Sequence, residues 1–116
     1  MYPTVLSGIM QDSEITQEEI FGPVVCLYPF ETEEDAVDLL NDTDYGLCSA
    51  IFTNDIRRAN RMARRLKFST VWINCWLVRQ LSMPYGGTKQ SGLGTEGGKY
   101  SMNLFTEAKT VCSANY

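Results

Sequence analysis

Two short runs hold most of the residues able to do chemistry. The first is Glu18-Glu19-Ile20-Phe21-Gly22-Pro23, a carboxylate and an aromatic set two apart before a Gly-Pro turn. The second runs from Arg79 to Tyr85 and on through Gly86-Gly87-Thr88-Lys89-Gln90-Ser91-Gly92. A carboxylate such as Glu19 accepts hydrogen bonds from two neighbouring hydroxyls, and a guanidinium such as Arg79 presents a fork that matches a carboxylate. Each has an ordinary structural reading beside it. Thr16-Gln17-Glu18-Glu19 fits a capping box in which Glu19 closes a helical turn. Arg79 can be a structural arginine and Tyr85 a packed loop aromatic.

The remaining candidates are excluded by what they lack. The chain has no histidine, which removes a histidine general base, a His-containing triad and a histidine metal site. Its four cysteines, Cys26, Cys48, Cys75 and Cys112, form no C-x-x-C pair and have no activating base nearby in sequence. They read as reduced thiols among apolar neighbours. Gly92-Leu93-Gly94-Thr95-Glu96-Gly97 spells G-x-G-x-x-G, but Pro84-Tyr85-Gly86-Gly87 stands where a strand is required, and no ribose-binding acid follows at the usual distance. Gly87 to Gly92 has P-loop spacing without the Lys-Ser/Thr that makes it work. No catalytic residue and no metal ligand is assigned in this chain.

Bulk properties bound the rest. At 116 residues the chain is one domain at most, and 44% hydrophobic with 21% charged residues is a globular composition. A net charge of -4 argues against nucleic acid as a partner. No apolar run is long enough to span a bilayer, and the first ten residues lack a signal-peptide pattern. A cytoplasmic location is therefore expected. Asn41-Asp42-Thr43 fits a glycosylation sequon, but without a secretion signal it reads as a helix end.

These runs must be positioned by elements that hydropathy locates. Val24 to Phe30, Leu47 to Thr53 and Ser69 to Cys75 read as buried strands. A helix from Thr32, capped by Thr32 with Asp35 three residues on, runs to about Asn41. A second starts at Asn54 or Asp55, with Ile56, Ala59, Ala63 and Leu66 at helical spacing. Strand, helix, strand, helix, strand predicts a βαβαβ parallel sheet. Pro84 to Gly98 is a Gly-rich loop, Glu96 to Leu104 a short helix, and Lys109 to Ser113 a last strand. Charge is segregated: six of ten basic residues lie between Arg57 and Lys67, and half of the fourteen acids between Glu31 and Asp44. The basic stretch reads either as a solvated helix face or as an interface to acids on another domain or subunit.

The motifs taken together carry a resemblance. Glu18 to Pro23, then Asn41 to Leu47, Val71-Trp72-Ile73-Asn74-Cys75, Pro84 to Gly92 and Phe105 to Val111, in this order, resemble the C-terminal third of an NAD(P)-dependent aldehyde dehydrogenase. Asn74-Cys75-Trp76-Leu77-Val78-Arg79 resembles the branch that oxidises muconic semialdehydes. The resemblance implies an α/β fold. Residues 1–105 would belong to the catalytic domain, and residues 106–116 would form a C-terminal oligomerisation strand and tail. It implies that Glu19 bonds the nicotinamide ribose and Phe21 flanks the nicotinamide ring, with NAD or NADP as cofactor of the intact enzyme and no tight binding to this chain alone. It implies that Arg79 pairs with a carboxylate of the aldehyde substrate and that Tyr85 lines the same tunnel. The family's nucleophilic cysteine, its general-base glutamate and its nucleotide-binding half are expected upstream, so the chain alone is expected to be inactive. The partners implied are a small aldehyde and other copies of the subunit. A free-standing, non-catalytic protein that works through assembly is the alternative.

Overall fold

A computed structural model describes residues 2–114. Its first unit is a parallel pair: β1 (Thr4–Ser7) and β2 (Val24–Leu27), with Thr4 opposite Val24 and Ser7 opposite Leu27. Between them stands a single turn of helix, α1 (Glu14–Gln17). Next come α2 (Glu33–Asn41), β3 (Tyr45–Gly46), β4 (Cys48–Ile51), α3 (Ile56–Ala63) and β5 (Thr70–Ile73). β4 and β5 pair in parallel, Cys48 opposite Thr70 and Ile51 opposite Ile73. β6 (Thr88–Lys89) then pairs antiparallel with β3, and α4 (Gly98–Phe105) follows.

The helices start where their caps dictate. Thr32 Oγ1 accepts from the Asp35 backbone N–H at 3.1 Å, and Asp35 Oδ2 accepts from the Thr32 N–H at 3.0 Å, a complete capping box. Asp55 caps α3 by accepting from the N–H groups of Arg57 and Arg58. At the far end of α2 the Asn41 side chain donates to Arg65 O and accepts from Lys67 N–H, which ties the two helical connections together. The core lies between these helices and the β4–β5 pair. It consists of Ala36 and Val37 from α2, Ala59 and Met62 from α3, with Leu66 and Ile51, and Val71 and Ile73 pack against it. The two-residue period of β5 sends Trp72 to the opposite face.

The segregated charges meet each other. Arg58 Nε and Arg61 Nε donate to the Glu33 carboxylate at 2.8 and 2.9 Å, and Arg65 pairs with Glu34. The hydrogen bond from Arg61, helped by that from Arg58 and by the charges of both arginines, holds the Glu33 carboxyl below its ordinary range against an opposing cost of desolvation. Hydrogen bonds from Thr32 hold Asp35 low in the same way. Arg58, Arg61 and Arg65 of the basic stretch thus find acids on α2 of the same chain. Solvent-exposed pairs of this kind contribute little each, so they align α2 with α3 more than they stabilise them.

Three expectations need correction. The three strands do not form one continuous sheet: β2 pairs with β1, a strand that hydropathy did not single out, and β4 pairs with β5. Neighbours in sequence are not obliged to be neighbours in a sheet, and periodicity carries no information on pairing. The strand expected over Lys109 to Ser113 is not formed; residues 106–114 are exposed and without regular structure. A strand exists only with a partner, and none of the described residues offers one. The Pro84 to Gly98 stretch is less of a loop than expected, because β6 and a bridge between Tyr85 and Glu96 anchor it.

The chain spans 78 × 36 × 23 Å with a radius of gyration of 19.6 Å. A compact chain of this length has a radius near 13 Å by the usual scaling, roughly. Large apolar side chains stay in solvent, among them Val25, Leu27, Phe52, Leu104 and Phe105. α4 buries none of its residues.

Candidate functional site

Arg79 sits on a turn that leaves β5 and is pinned on both sides. Asn74 adopts a left-handed conformation, φ 53°, which asparagine tolerates better than most residues. Its side chain exchanges two hydrogen bonds of 2.9 Å with the backbone of Thr53 and so continues the β4–β5 ladder by one step. Trp72 Nε1 donates to Val78 O at 2.9 Å, and Trp72 meets Trp76 edge-on at 4.8 Å. The guanidinium of Arg79 then lies over the ring of Tyr85, 3.9 Å from its centre. Arg79 Nη2 donates to Glu96 Oε1 at 2.8 Å.

The Tyr85 and Glu96 backbones bond in both directions, at 2.9 and 2.7 Å, so the two residues that meet the guanidinium are joined through their main chains. Glycines permit this closeness. A Cβ on Gly86 would come 2.9 Å from Thr95 Cα, and buried Gly97 turns at φ 98° with a Cβ position 3.0 Å from the Met83 carbonyl carbon. Stacking on Tyr85 fixes the plane of the guanidinium at little cost in solvation. Of its five donors, one is engaged by Glu96 among the described residues.

The structure brings Arg79 and Tyr85 together. The residue that sequence reasoning missed is Glu96, seventeen positions on. One signal was present: Arg79 is the only base between Lys67 and Lys89, and Glu96 the only acid between Asp55 and Glu107.

Glu19 and Phe21 lie elsewhere, in the turn that enters β2. The capping-box reading of Glu19 fails, because α1 ends at Gln17, Ser13 is its N-cap and Glu18 its C-cap. Thr16 lies inside that helix, with its hydroxyl bonded to Ser13 and Tyr28. Glu19 is exposed, and no hydrogen bond engages its side chain among the described residues. Phe21 is 92% exposed and left-handed at φ 53°. That conformation costs a bulky residue on the order of 1 kcal/mol and signals a position held for a purpose. Among the described residues, no hydrogen bond or ring contact joins Glu19 or Phe21 to Arg79 or Tyr85.

None of the other reactive groups builds a second site. Burial raises the Cys48 thiol above its ordinary range, away from the reactive thiolate. Cys26 and Cys75 are half-buried, Cys112 is exposed, and all four are free. No cluster of metal-ligating side chains occurs among the described residues, and none of their helices is long and apolar enough to cross a membrane. Lys89 closes the end of α2 by donating to Asn41 O and Thr43 O. A crevice of about 400 Å³ between α2, β4 and α3 is lined by Phe30, Leu40, Phe52 and Met62 and touches no candidate residue.

With this geometry in view, comparison with known proteins is direct. Residues 1–111 match the aldehyde dehydrogenase family. The chain is 50% identical over 111 residues to the 2-aminomuconic semialdehyde dehydrogenase of Danio rerio, covering 96% of this chain and 23% of that protein. It is 46% identical over 110 residues to the 2-hydroxymuconic semialdehyde dehydrogenase of Pseudomonas putida, covering 95% and 23%. Among solved structures, HpcC from Thermus thermophilus superposes with a TM-score of 0.88 at 46% identity, over 94% of this chain and 21% of that one. The betaine aldehyde dehydrogenase of Staphylococcus aureus in complex with NAD+ gives 0.86 at 47% identity, over 89% and 20%. The chain therefore spans less than a quarter of the length of the relatives it matches. Family match, identity and α/β fold with parallel strand pairs agree: this chain belongs to the aldehyde dehydrogenase family.

Proposed function

We propose that this chain is the C-terminal segment of a dehydrogenase that oxidises a carboxylated semialdehyde to the acid with NAD or NADP, and that it is inactive alone. The observation that carries the reading is Arg79, stacked on Tyr85 at 3.9 Å with most of its fork free. A guanidinium held this way is a receptor for a carboxylate. The muconic semialdehyde dehydrogenases to which the chain is similar act, by name, on substrates of that kind. The C-terminal placement rests on the order of the motifs from Glu18-Pro23 to Phe105-Val111.

In this reading Glu19 and Phe21 form one wall of the cofactor site. The residues fit the group: Glu19 is a carboxylate free to accept two ribose hydroxyls, and Phe21 presents an uncovered ring beside it. The cofactor, when bound, takes up the hydride from the substrate. Arg79 binds the remote carboxylate and orients the aldehyde, and Tyr85 keeps the guanidinium in plane. Attack on the aldehyde needs a thiolate with an oriented base, and none of the four cysteines here has one. The rest of the enzyme supplies both and covers the apolar faces of α4 and of the β1–β2 pair. Residues 106–114 become a strand when an adjoining subunit offers an edge, which makes the enzyme an oligomer. A cytoplasmic location goes with this reading.

The second reading is a free-standing, non-catalytic protein that assembles with itself or with a full-length dehydrogenase, favoured by the extended shape and bare apolar surface. An antibody raised against this chain separates the two. A native protein several times larger than 116 residues in the source cells supports the dehydrogenase segment. A native protein of this size overturns it in favour of assembly.

A further inference from the structure

The geometry points to Glu96 as a resident counter-ion that moderates the grip of Arg79 on the substrate, an inference that rests on the carboxylate-binding role of Arg79 proposed above. Glu96 Oε1 takes one Nη2 donor at 2.8 Å and leaves the rest of the fork open. The two-way backbone bridge between Tyr85 and Glu96 sets the Glu96 main chain on the piece that also carries the stacking ring, and the turn at Gly97 adjoins it. An arriving carboxylate therefore meets a guanidinium that already carries a negative partner. Two carboxylates on one cation repel, so the substrate is held by the difference between attraction to Arg79 and repulsion from Glu96. The arrangement pre-orients the fork and keeps an acidic substrate or product from binding so tightly that release slows turnover.

Glu96→Gln tests this in the full dehydrogenase that carries the segment. Glutamine keeps the acceptor oxygen and loses the charge. The readout is KM and kcat on two short aldehydes, succinic semialdehyde with a terminal carboxylate and butanal without one. Removing a like charge at about this distance in water-exposed surroundings should lower KM for succinic semialdehyde by about fivefold. KM for butanal should stay unchanged, and the effect should vanish in an Arg79→Ala background. Glu96→Asp, which draws the charge back by one methylene, should lower the same KM by a smaller factor. It serves as the test should Glu96→Gln fail to assemble. An equal change on both aldehydes, no change on either, or an effect that survives Arg79→Ala overturns the inference. The two layers can fail separately. If Arg79→Ala selectively harms succinic semialdehyde while Glu96→Gln and Glu96→Asp do nothing, the counter-ion role alone falls. If Arg79→Ala harms both aldehydes equally, the carboxylate reading falls and this inference with it.

Discussion

In the proposed reading, replacing Arg79 by alanine in the full dehydrogenase should weaken its preference for carboxylated aldehydes, and the size of the change follows from the site. A hydrogen bond to a charged group contributes about 1.5–3 kcal/mol. The Arg79 side chain keeps 31% of its surface in solvent, so the lower half of that range, about 1.5–2 kcal/mol, applies. At roughly 1.4 kcal/mol per decade this is a loss of about 10–30-fold in kcat/KM for a carboxylated aldehyde. The neutral aldehyde of matched length makes no use of the fork and should lose far less. Arg79→Lys should fall between, since it keeps the charge and loses the planar donors that stack on Tyr85 and match a carboxylate. The assay is steady-state formation of NADH or NADPH with both aldehydes, and the informative quantity is the ratio of the two kcat/KM values. An equal loss on both substrates would refute the reasoning, because Arg79 would then be shaping the loop and not recognising a carboxylate.

Other consequences concern the scaffold. Thr32→Ala removes one half of the α2 capping box and should destabilise the helical layer by about 1 kcal/mol in urea unfolding; an unchanged midpoint would show that the α2–α3 ion pairs hold the helix start without it. Stability should also decline in acid. Glu33 is held below its ordinary value of 4.5, so its contribution is complete above that pH and is lost as the pH falls through its lowered folded value. Glu33→Gln should therefore flatten the acid limb of a stability–pH curve, and an unaltered limb would mean that Asp35 and other carboxylates carry it. Gly97→Ala would force a side chain into a left-handed position against the Met83 carbonyl, and should loosen the Tyr85–Glu96 bridge. Faster amide exchange at Tyr85 and Glu96 would report this, and unchanged protection would contradict it.

The sequence on its own determined what local physics determines. Thr32 with Asp35, and Asp55 ahead of a basic amphipathic run, start helices because an orphan N–H group is satisfied by an oxygen within three residues of it. The apolar runs around Val24, Ala50 and Trp72 were legible as strand candidates from local pattern, although each needed a partner to become a strand. The Glu19-Ile20-Phe21-Gly22-Pro23 and Pro84 to Gly92 motifs were enough to point to the family, since order and residue type survive without coordinates. Pairing was not legible. That β2 takes β1 as its partner, that β6 reaches back to β3, and that Lys109 to Ser113 forms no strand depend on which edges meet in space. The same holds at the candidate site. Arg79 and Tyr85 were visible as a guanidinium and a nearby ring. Glu96 became their partner through the backbone bridge and the turn at Gly97, and Glu19 lost its capping role because α1 stops at Gln17. Contacts seventeen residues apart are decided by how the chain closes on itself, and only the tertiary structure records that closure.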